Sequence, residues 1–364
     1  MEENLRYVLA LQKVKGIGDT YAKKLINYCG SAKAVFEEKE KDLCKINGIT
    51  PNIMKNLKNP EIFQKAEEEL KFIEQNNIQT VYFESEEYPD NLKQCLDSPI
   101  LLFKDGNFDF KDRKTLSIVG TRNMTSNGRI FCQELVEEVA SYDPIIVSGF
   151  AYGVDICAHL AALDNHLKTV AVLAHGFGHI YPKVHKKYVN KINDCGGFLT
   201  DFWYEMTPQR EFFLSRNRIV AGISDAVIVI ESAEKGGSLA TAEIANSYQK
   251  DVFAVPGRVS DKFSVGCNNL IKNHKATMIT SPSDLIKALK WDEKKQKPIQ
   301  KMLFVNLDED EQKIFDFLEE NGMQLLDLIS LNCDIPIHKV ASILLNLELK
   351  GVIRPLPGKM FELA

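Results

Sequence analysis

The stretch TLSIVGTRNMTSNGRIFCQELVEEVASYDPIIVSGF, residues 115–150, decides the fold. It holds two short runs of apolar, largely β-branched residues, LSIVG (116–120) and IIVSG (145–149), each closing on a glycine. Between them, RIFCQELVEEVA (129–140) spaces its apolar residues at helical intervals. Strands apolar on both faces belong inside a sheet that helices cover on both sides, which is the habit of parallel sheets. Strand, helix and strand thus form one unit, and the alternation continues outward from it. Further strands are expected at TVAVLA (169–174), GFLTDF (197–202), AVIVIES (226–232), DVFAVPG (251–257) and ATMIT (276–280), with helical stretches such as LATAEIANSYQK (239–250) between them. The fold class expected is α/β, a Rossmann-like, doubly wound, mostly parallel sheet over residues 111–290.

The flanks read differently. Residues 1–60 are helical in pattern and contain VKGIGDTYAKKLI (14–26), where Gly16-Ile17-Gly18 feeds a helix with Ala22, Leu25 and Ile26 on one side. This is a helix-hairpin-helix or SAM-like pattern, with a degenerate second copy at KINGITPNIMKNL (45–57). Its hairpin amides either meet a DNA phosphate or serve only as turns of a small helical bundle. Residues 61–110 are expected to connect, with an Ala/Glu-rich helix and a short strand at TVYF (80–83). A polar linker is expected at 291–306, and residues 307–364 have winged-helix order, ending in the wing VIRPLPGKMFEL (352–363).

Charge is unevenly spread. The net charge of the 364 residues is −5, yet residues 111–290 hold 21 Lys+Arg against 18 Asp+Glu, leaving 24 against 32 for the rest. The overall acidity therefore does not exclude nucleic acid as a partner of the central domain. Residues 308–350 carry ten acids and three bases. Duplex DNA repels such a module, and the helix PIHKVASILLNLELKG (336–351) offers one Lys in its first turns where groove readers need several polar contacts. The winged helix is expected to contact protein. Eight scattered cysteines without a CxxC pair fit reduced thiols in a cytoplasmic protein. No apolar run reaches membrane-spanning length, and the N-terminal residues lack a signal-peptide pattern.

Ligands of doubly wound sheets bind beyond the carboxyl ends of the strands. There the sequence places Gly120-Thr121-Arg122, Ser148-Gly149 with Gly153, the loop His175 to Lys183, the helical block Arg216-Asn217-Arg218, and Lys235-Gly236-Gly237-Ser238. Arg122, Lys183, Arg216 and Lys235 with two glycine-rich amide nests make a surface for phosphates. GTRNMT replaces a dinucleotide fingerprint, and no P-loop is present. His175 and His179 flank loop glycines without a neighbouring carboxylate or cysteine, so no metal is expected. No nucleophile-and-base pattern stands out; neither a catalytic residue nor a cofactor is expected.

The blocks SIVGTR (117–122), SGFAYGVDICAH (148–159), TVAVLAHGFGHIYPK (169–183), FFLSRNRIVAGIS (212–224), AVIVIESAEKGGSLATAEIA (226–245), DVFAVPGRV (251–259) and GCNNLI (266–271) resemble the DprA/Smf family of DNA-processing proteins. The resemblance implies a single-stranded-DNA-binding protein that dimerises through the central domain, protects incoming DNA and loads the RecA recombinase during natural transformation. It places DNA contacts at Arg122 and Lys183, and a pocket at Asn217, Arg218, Gly237 and Ser238. The alternative for Arg218 is an internal pair with Asp225 or another acid. The third loop departs from the family: His175 and His179 stand where many relatives have a small residue and an acid. Two rival readings stay open. One is a nucleotide phosphoribohydrolase of the related LOG-like fold, suggested by Gly236, Gly237, Thr241 and Glu243. The other is a structural DNA-bridging protein.

Overall fold

The computed structural model describes residues 2–292, 307–350, 352–356 and 358–363. They fall into two compact units, divided after Trp291. Most of the linker expected at 291–306 lies outside the described residues.

The first unit opens with helices α1 (Glu2–Lys13), α2 (Asp19–Cys29), α3 (Ala32–Glu37), α4 (Glu40–Leu43), α5 (Pro51–Leu57) and α6 (Glu61–Gln75). Its strands are β1 (Gln79–Tyr82), β2 (Leu101–Gly106), β3 (Thr115–Val119), β4 (Ile145–Ser148), β5 (Thr169–Val172), β6 (Gly197–Thr200), β7 (Ala226–Val229), β8 (Asp251–Ala254) and β9 (Thr277–Met278). They form one nine-stranded sheet in the order β1-β2-β6-β5-β4-β3-β7-β8-β9. From β6 to β9 all pairs are parallel, whereas β1 with β2 and β2 with β6 are antiparallel. Residues 61–110, expected as a connection, therefore supply two strands of the sheet. The remaining helices are α7 (Asp90–Lys93), α8 (Ser126–Val139), α9 (Val154–Asp164), α10 (Val189–Cys195), α11 (Arg210–Ile223), α12 (Gly237–Ser247), α13 (Val265–Lys272) and α14 (Pro282–Ala288).

Every residue of β3, β4, β5 and β7 is buried, as strands covered on both faces require. Two apolar clusters divide the faces. Val119, Val147, Ile219 and Val220 belong to one, and Ile118, Ile146, Leu135 and Ala158 to the other. Two polar side chains inside the sheet are paired: Ser117 Oγ donates to the Val220 carbonyl at 2.7 Å and Thr169 Oγ1 to the Ile146 carbonyl at 2.9 Å.

The helical module is docked on this sheet. Its core of Leu9, Leu25 and Ile26 continues into Ile100, Leu101, Phe103 and Trp203. At the first hairpin Ile17 is buried, and Asp19 Oδ1 accepts the Ile100 N–H at 2.9 Å while Oδ2 pairs with Arg218 at 3.0 Å. The start of α2 is thereby committed to domain packing. Trp203 is clamped further by a hydrogen bond to Gln12 (3.0 Å) and by Lys13, 4.0 Å from its ring centroid.

The second unit contains α15 (Glu309–Asn321), β10 (Gln324–Leu325), α16 (Leu326–Asn332), α17 (Ile337–Leu349), β11 (Ile353–Leu356) and β12 (Met360–Leu363), with sheet order β10-β12-β11. This is the expected winged helix. Val340, Leu344 and Leu347 form its core with Ile314 and Leu318.

Candidate nucleic-acid interface

A cavity of about 390 Å³ opens where β3, β4 and β7 end. Arg122, Gly149, Arg216, Asn217, Lys235, Gly237 and Ser238 line it, so seven of the expected residues are brought together.

Its floor is built from charges consumed inside the protein. Arg216 is buried; its Nη1 donates to the Gly149 carbonyl at 2.7 Å and to the Val172 carbonyl, and its Nε to Asn217 Oδ1 at 3.3 Å. A Cβ on Gly149 would stand 2.3 Å from Arg216 Nη1, so this glycine makes room for the guanidinium. Asp155 lies buried nearby and accepts the Ala151 N–H at 3.3 Å. Burial raises its pKa while the Arg216 charge opposes the rise; burial lowers that of Arg216, opposed by Asp155. Arg216 thus answers an internal carboxylate and two carbonyls. Ser148 is likewise internal, its hydroxyl bonding the Ile118 carbonyl at 2.6 Å. Gly153 has φ +74°, and a Cβ there would meet the Thr121 carbonyl at 2.2 Å. It permits α9 to start hard against the loop that carries Arg122.

Two helix N-termini at this edge are treated differently. At α8, Thr125 Oγ1 accepts the Gly128 N–H at 3.1 Å, and Glu231 reaches across from the end of β7 to accept Thr125 N–H at 2.8 Å and its hydroxyl at 2.5 Å. The protein's own carboxylate takes the place an anion would occupy. At α12, Gly236 is the N-cap without a side-chain cap, and a Cβ on Gly237 would meet nothing within 4 Å. This N-terminus is open. Behind it, Ser238 Oγ donates to Ser232 Oγ at 2.9 Å and Asn217 Nδ2 to the Gly237 carbonyl at 3.4 Å.

The rim holds the outward charges. Arg122, Lys235 and Lys262 are exposed. The Arg122 guanidinium sits 5.3 Å from the Phe213 ring centroid, and Tyr181 meets the same ring edge-on at 5.8 Å. Tyr181 is itself 39% exposed, which leaves an aromatic surface beside the cations. Lys183 is exposed at the start of a 3-10 turn, Lys183–Tyr188, two residues beyond Tyr181; it stands outside the cavity wall.

Arg218 corrects the expectation. It is not on the cavity wall: its Nη2 pairs with Asp201 at 2.6 Å and Asp19 at 3.0 Å, and its Nη1 bonds the Asp97 carbonyl. Burial disfavours its charge, yet Asp201 and Asp19 hold its pKa above the usual value. Asp225, the partner considered from sequence, instead accepts the Thr115 N–H at 2.8 Å and Asn91 at 2.8 Å. Phe213, Lys262, Ser232 and Asp155 also line the wall and were not among the expected site residues. Phe213 carried a signal, since it stands three residues before Arg216 on the same helix. Among the described residues no cluster of three or more His, Cys, Asp or Glu could hold a metal.

The fold and this edge define a class: a Rossmann-like domain that offers open amides and free cations to an anion, flanked by a helical-hairpin module and a winged helix. The family model for DNA recombination-mediator protein A matches residues 79–290, the DprA winged-helix model residues 304–359, and a SAM-like helix-hairpin-helix tandem residues 8–59. The chain belongs to the DNA recombination-mediator protein A (DprA/Smf) family. It is 37% identical over 199 residues to DNA processing protein DprA of Streptococcus pneumoniae, covering 55% of this chain and 70% of that one. The X-ray structure of DprA from S. pneumoniae superposes with TM-score 0.66 at 30% identity, covering 78% of this chain and 97% of the other. A structure of Helicobacter pylori DprA, described for its single-stranded-DNA binding mode, gives TM-score 0.54 at 31% identity, over 59% and 96%.

Proposed function

We propose that this chain binds single-stranded DNA along the rim formed by Arg122, Lys183 and Lys235, with phosphates at the open start of α12. The observation that carries this reading is the division just described: the rim cations are exposed, while the floor and α8 are satisfied internally. Separated cations beside the Phe213 and Tyr181 rings suit a flexible backbone read without sequence preference. The protein acts without chemistry or cofactor, as a cytoplasmic homodimer through the central domain. It protects incoming strands and loads the RecA recombinase in natural transformation and homologous recombination. The acidic winged helix contacts protein.

The phosphoribohydrolase reading meets an obstacle: Glu243 is exposed and paired with Lys275 at 2.6 Å, off the cavity wall. Among the described residues the acid on that wall is Asp155, which is buried and accepts the Ala151 N–H. The test is single-stranded DNA binding over a salt series for wild type, Arg122→Ala and Lys183→Ala, with AMP hydrolysis assayed in parallel. Each variant is expected to bind more weakly, with a log–log salt slope shallower by about 0.7. Unchanged binding in both, or release of ribose phosphate, overturns the reading.

A further inference from the structure

The loop that follows β4 contains an unusual backbone conformation. Phe150 stands between Gly149 and Ala151, which both line the first cavity, and it has φ +59°. A bulky residue takes up this left-handed conformation at a cost, and keeps it only where its surroundings hold it there. Three buried side chains do so at three consecutive residues. Arg216 Nη1 donates to the Gly149 carbonyl at 2.7 Å, His185 Nδ1 donates to the Phe150 carbonyl at 3.0 Å, and Asp155 Oδ2 accepts the Ala151 N–H at 3.3 Å.

Arg216 and Asp155 belong to the cavity floor, but His185 comes from elsewhere. It lies on the 3-10 turn Lys183–Tyr188, two residues beyond Lys183, and is 3% exposed. A carbonyl can only accept, so Nδ1 of this ring carries the proton. Burial lowers the ring's pKa, opposed by the Phe150 carbonyl and the Asp155 charge, which favours the neutral imidazole. The ring is packed edge-on against Phe150 at 5.3 Å and Tyr152 at 5.1 Å. Its backbone N–H closes the turn on the Pro182 carbonyl at 3.0 Å.

Lys183 is exposed and stands outside the cavity wall. A cation on a surface turn helps hold a strand to the extent that the turn already places it where a phosphate will lie; ordering it only on binding costs affinity. The Phe150 carbonyl joins the two parts. Arg216 ties its loop to the cavity floor through Gly149, and His185 ties the same loop to the turn that carries Lys183.

We propose that His185 is a positioning residue for single-stranded DNA: its Nδ1–H on the Phe150 carbonyl fixes the Lys183 turn against the cavity wall, so that Lys183 is in place for a phosphate. The proposal rests on the single-stranded-DNA reading of Lys183. Being buried, His185 acts through that lysine and not on the strand.

The test is binding of the full chain to oligo(dT) over a salt series. Lys183→Ala and His185→Ala should each give a log–log slope shallower by about 0.7, and the double variant should lose no more than either alone, because both remove the same contact. Arg122→Ala should still remove its own share of the slope in the His185→Ala background, which a general collapse of the site would not allow. His185→Asn puts an amide N–H where Nδ1 stood and should restore the wild-type slope. His185→Gln carries its amide one bond further out and should behave like His185→Ala. If His185→Ala does not fold, the Asn and Gln variants decide between them. A wild-type slope in His185→Ala, additive losses in the double variant, loss of the Arg122 share, or equal slopes for the Asn and Gln variants overturns the role of His185. Failure of wild type to bind, or an unchanged slope in Lys183→Ala, overturns the DNA reading of that lysine instead.

Discussion

The floor and the rim of the first cavity contain the same residue types and use them in opposite ways. Arg216 on the floor is buried, bonded to two backbone carbonyls with the Asp155 charge nearby, whereas Arg122 on the rim is exposed over an aromatic ring. The difference teaches that a cation at a sheet edge is available to a ligand only when the fold has no prior claim on it. Floor variants should therefore fail in stability, and rim variants in binding.

The largest effect is expected for Arg216→Met. It leaves the buried Gly149 and Val172 carbonyls without their donor and Asp155 without the nearby positive charge, and denaturant unfolding should show a loss of about 1–3 kcal/mol for each carbonyl left unpaired. Arg216→Met combined with Asp155→Leu should recover part of that. If Arg216→Met unfolds like wild type and only weakens DNA binding, the floor is part of the binding surface and the comparison breaks.

A second prediction concerns the clamp of the helical module. Glu69 is 1% exposed and accepts the Tyr204 N–H through both oxygens, at 3.0 and 3.2 Å. Burial raises its pKa to about 7 against an ordinary 4.5, with the Tyr204 N–H and Lys13 opposing. Below pH 4.5 folded and unfolded states both hold this proton. Between 4.5 and 7 the folded state keeps a proton that the unfolded state releases. Stability from this group is therefore present at low pH and lost as pH rises through 7, by up to about 3 kcal/mol. Glu69→Gln should flatten that slope in unfolding measured from pH 4 to 8; an unaltered slope contradicts the assignment.

Smaller effects sharpen the contrast between the two helix starts. Thr125→Ala removes the α8 cap and should cost about 1 kcal/mol in thermal unfolding. Lys235→Ala beside the open start of α12 should change stability by less than about 0.5 kcal/mol while lowering the salt dependence of DNA binding. A stability loss from Lys235→Ala matching that from Thr125→Ala would place this lysine with the internal charges.

Much of the fold was legible because parallel strands buried on both faces are continuous apolar runs, as at 116–120 and 226–232. The short strand expected at 80–83 is β1, but β2 was not legible, since this antiparallel strand carries mixed residues such as its Lys104-Asp105-Gly106 end. Within the site, one error was avoidable. Arg216 and Arg218 are two apart on a helix and so point to different faces; they were never going to share one cavity. The Glu231 cap on α8 was not legible, because it joins residues 106 apart in sequence that meet only through the β3–β7 pairing. The docking of the first hairpin has the same origin, with Asp19 meeting an arginine 199 residues away.

The central claim is that rim cations hold single-stranded DNA and carry no structural duty. It is tested most directly by the double variant Arg122→Ala/Lys183→Ala, compared with wild type for its salt slope on single-stranded DNA and its thermal unfolding midpoint. The account predicts a log–log slope reduced by about 1.4 with the midpoint unchanged. An unchanged slope, or a loss of binding that follows a fall in the midpoint, would contradict it.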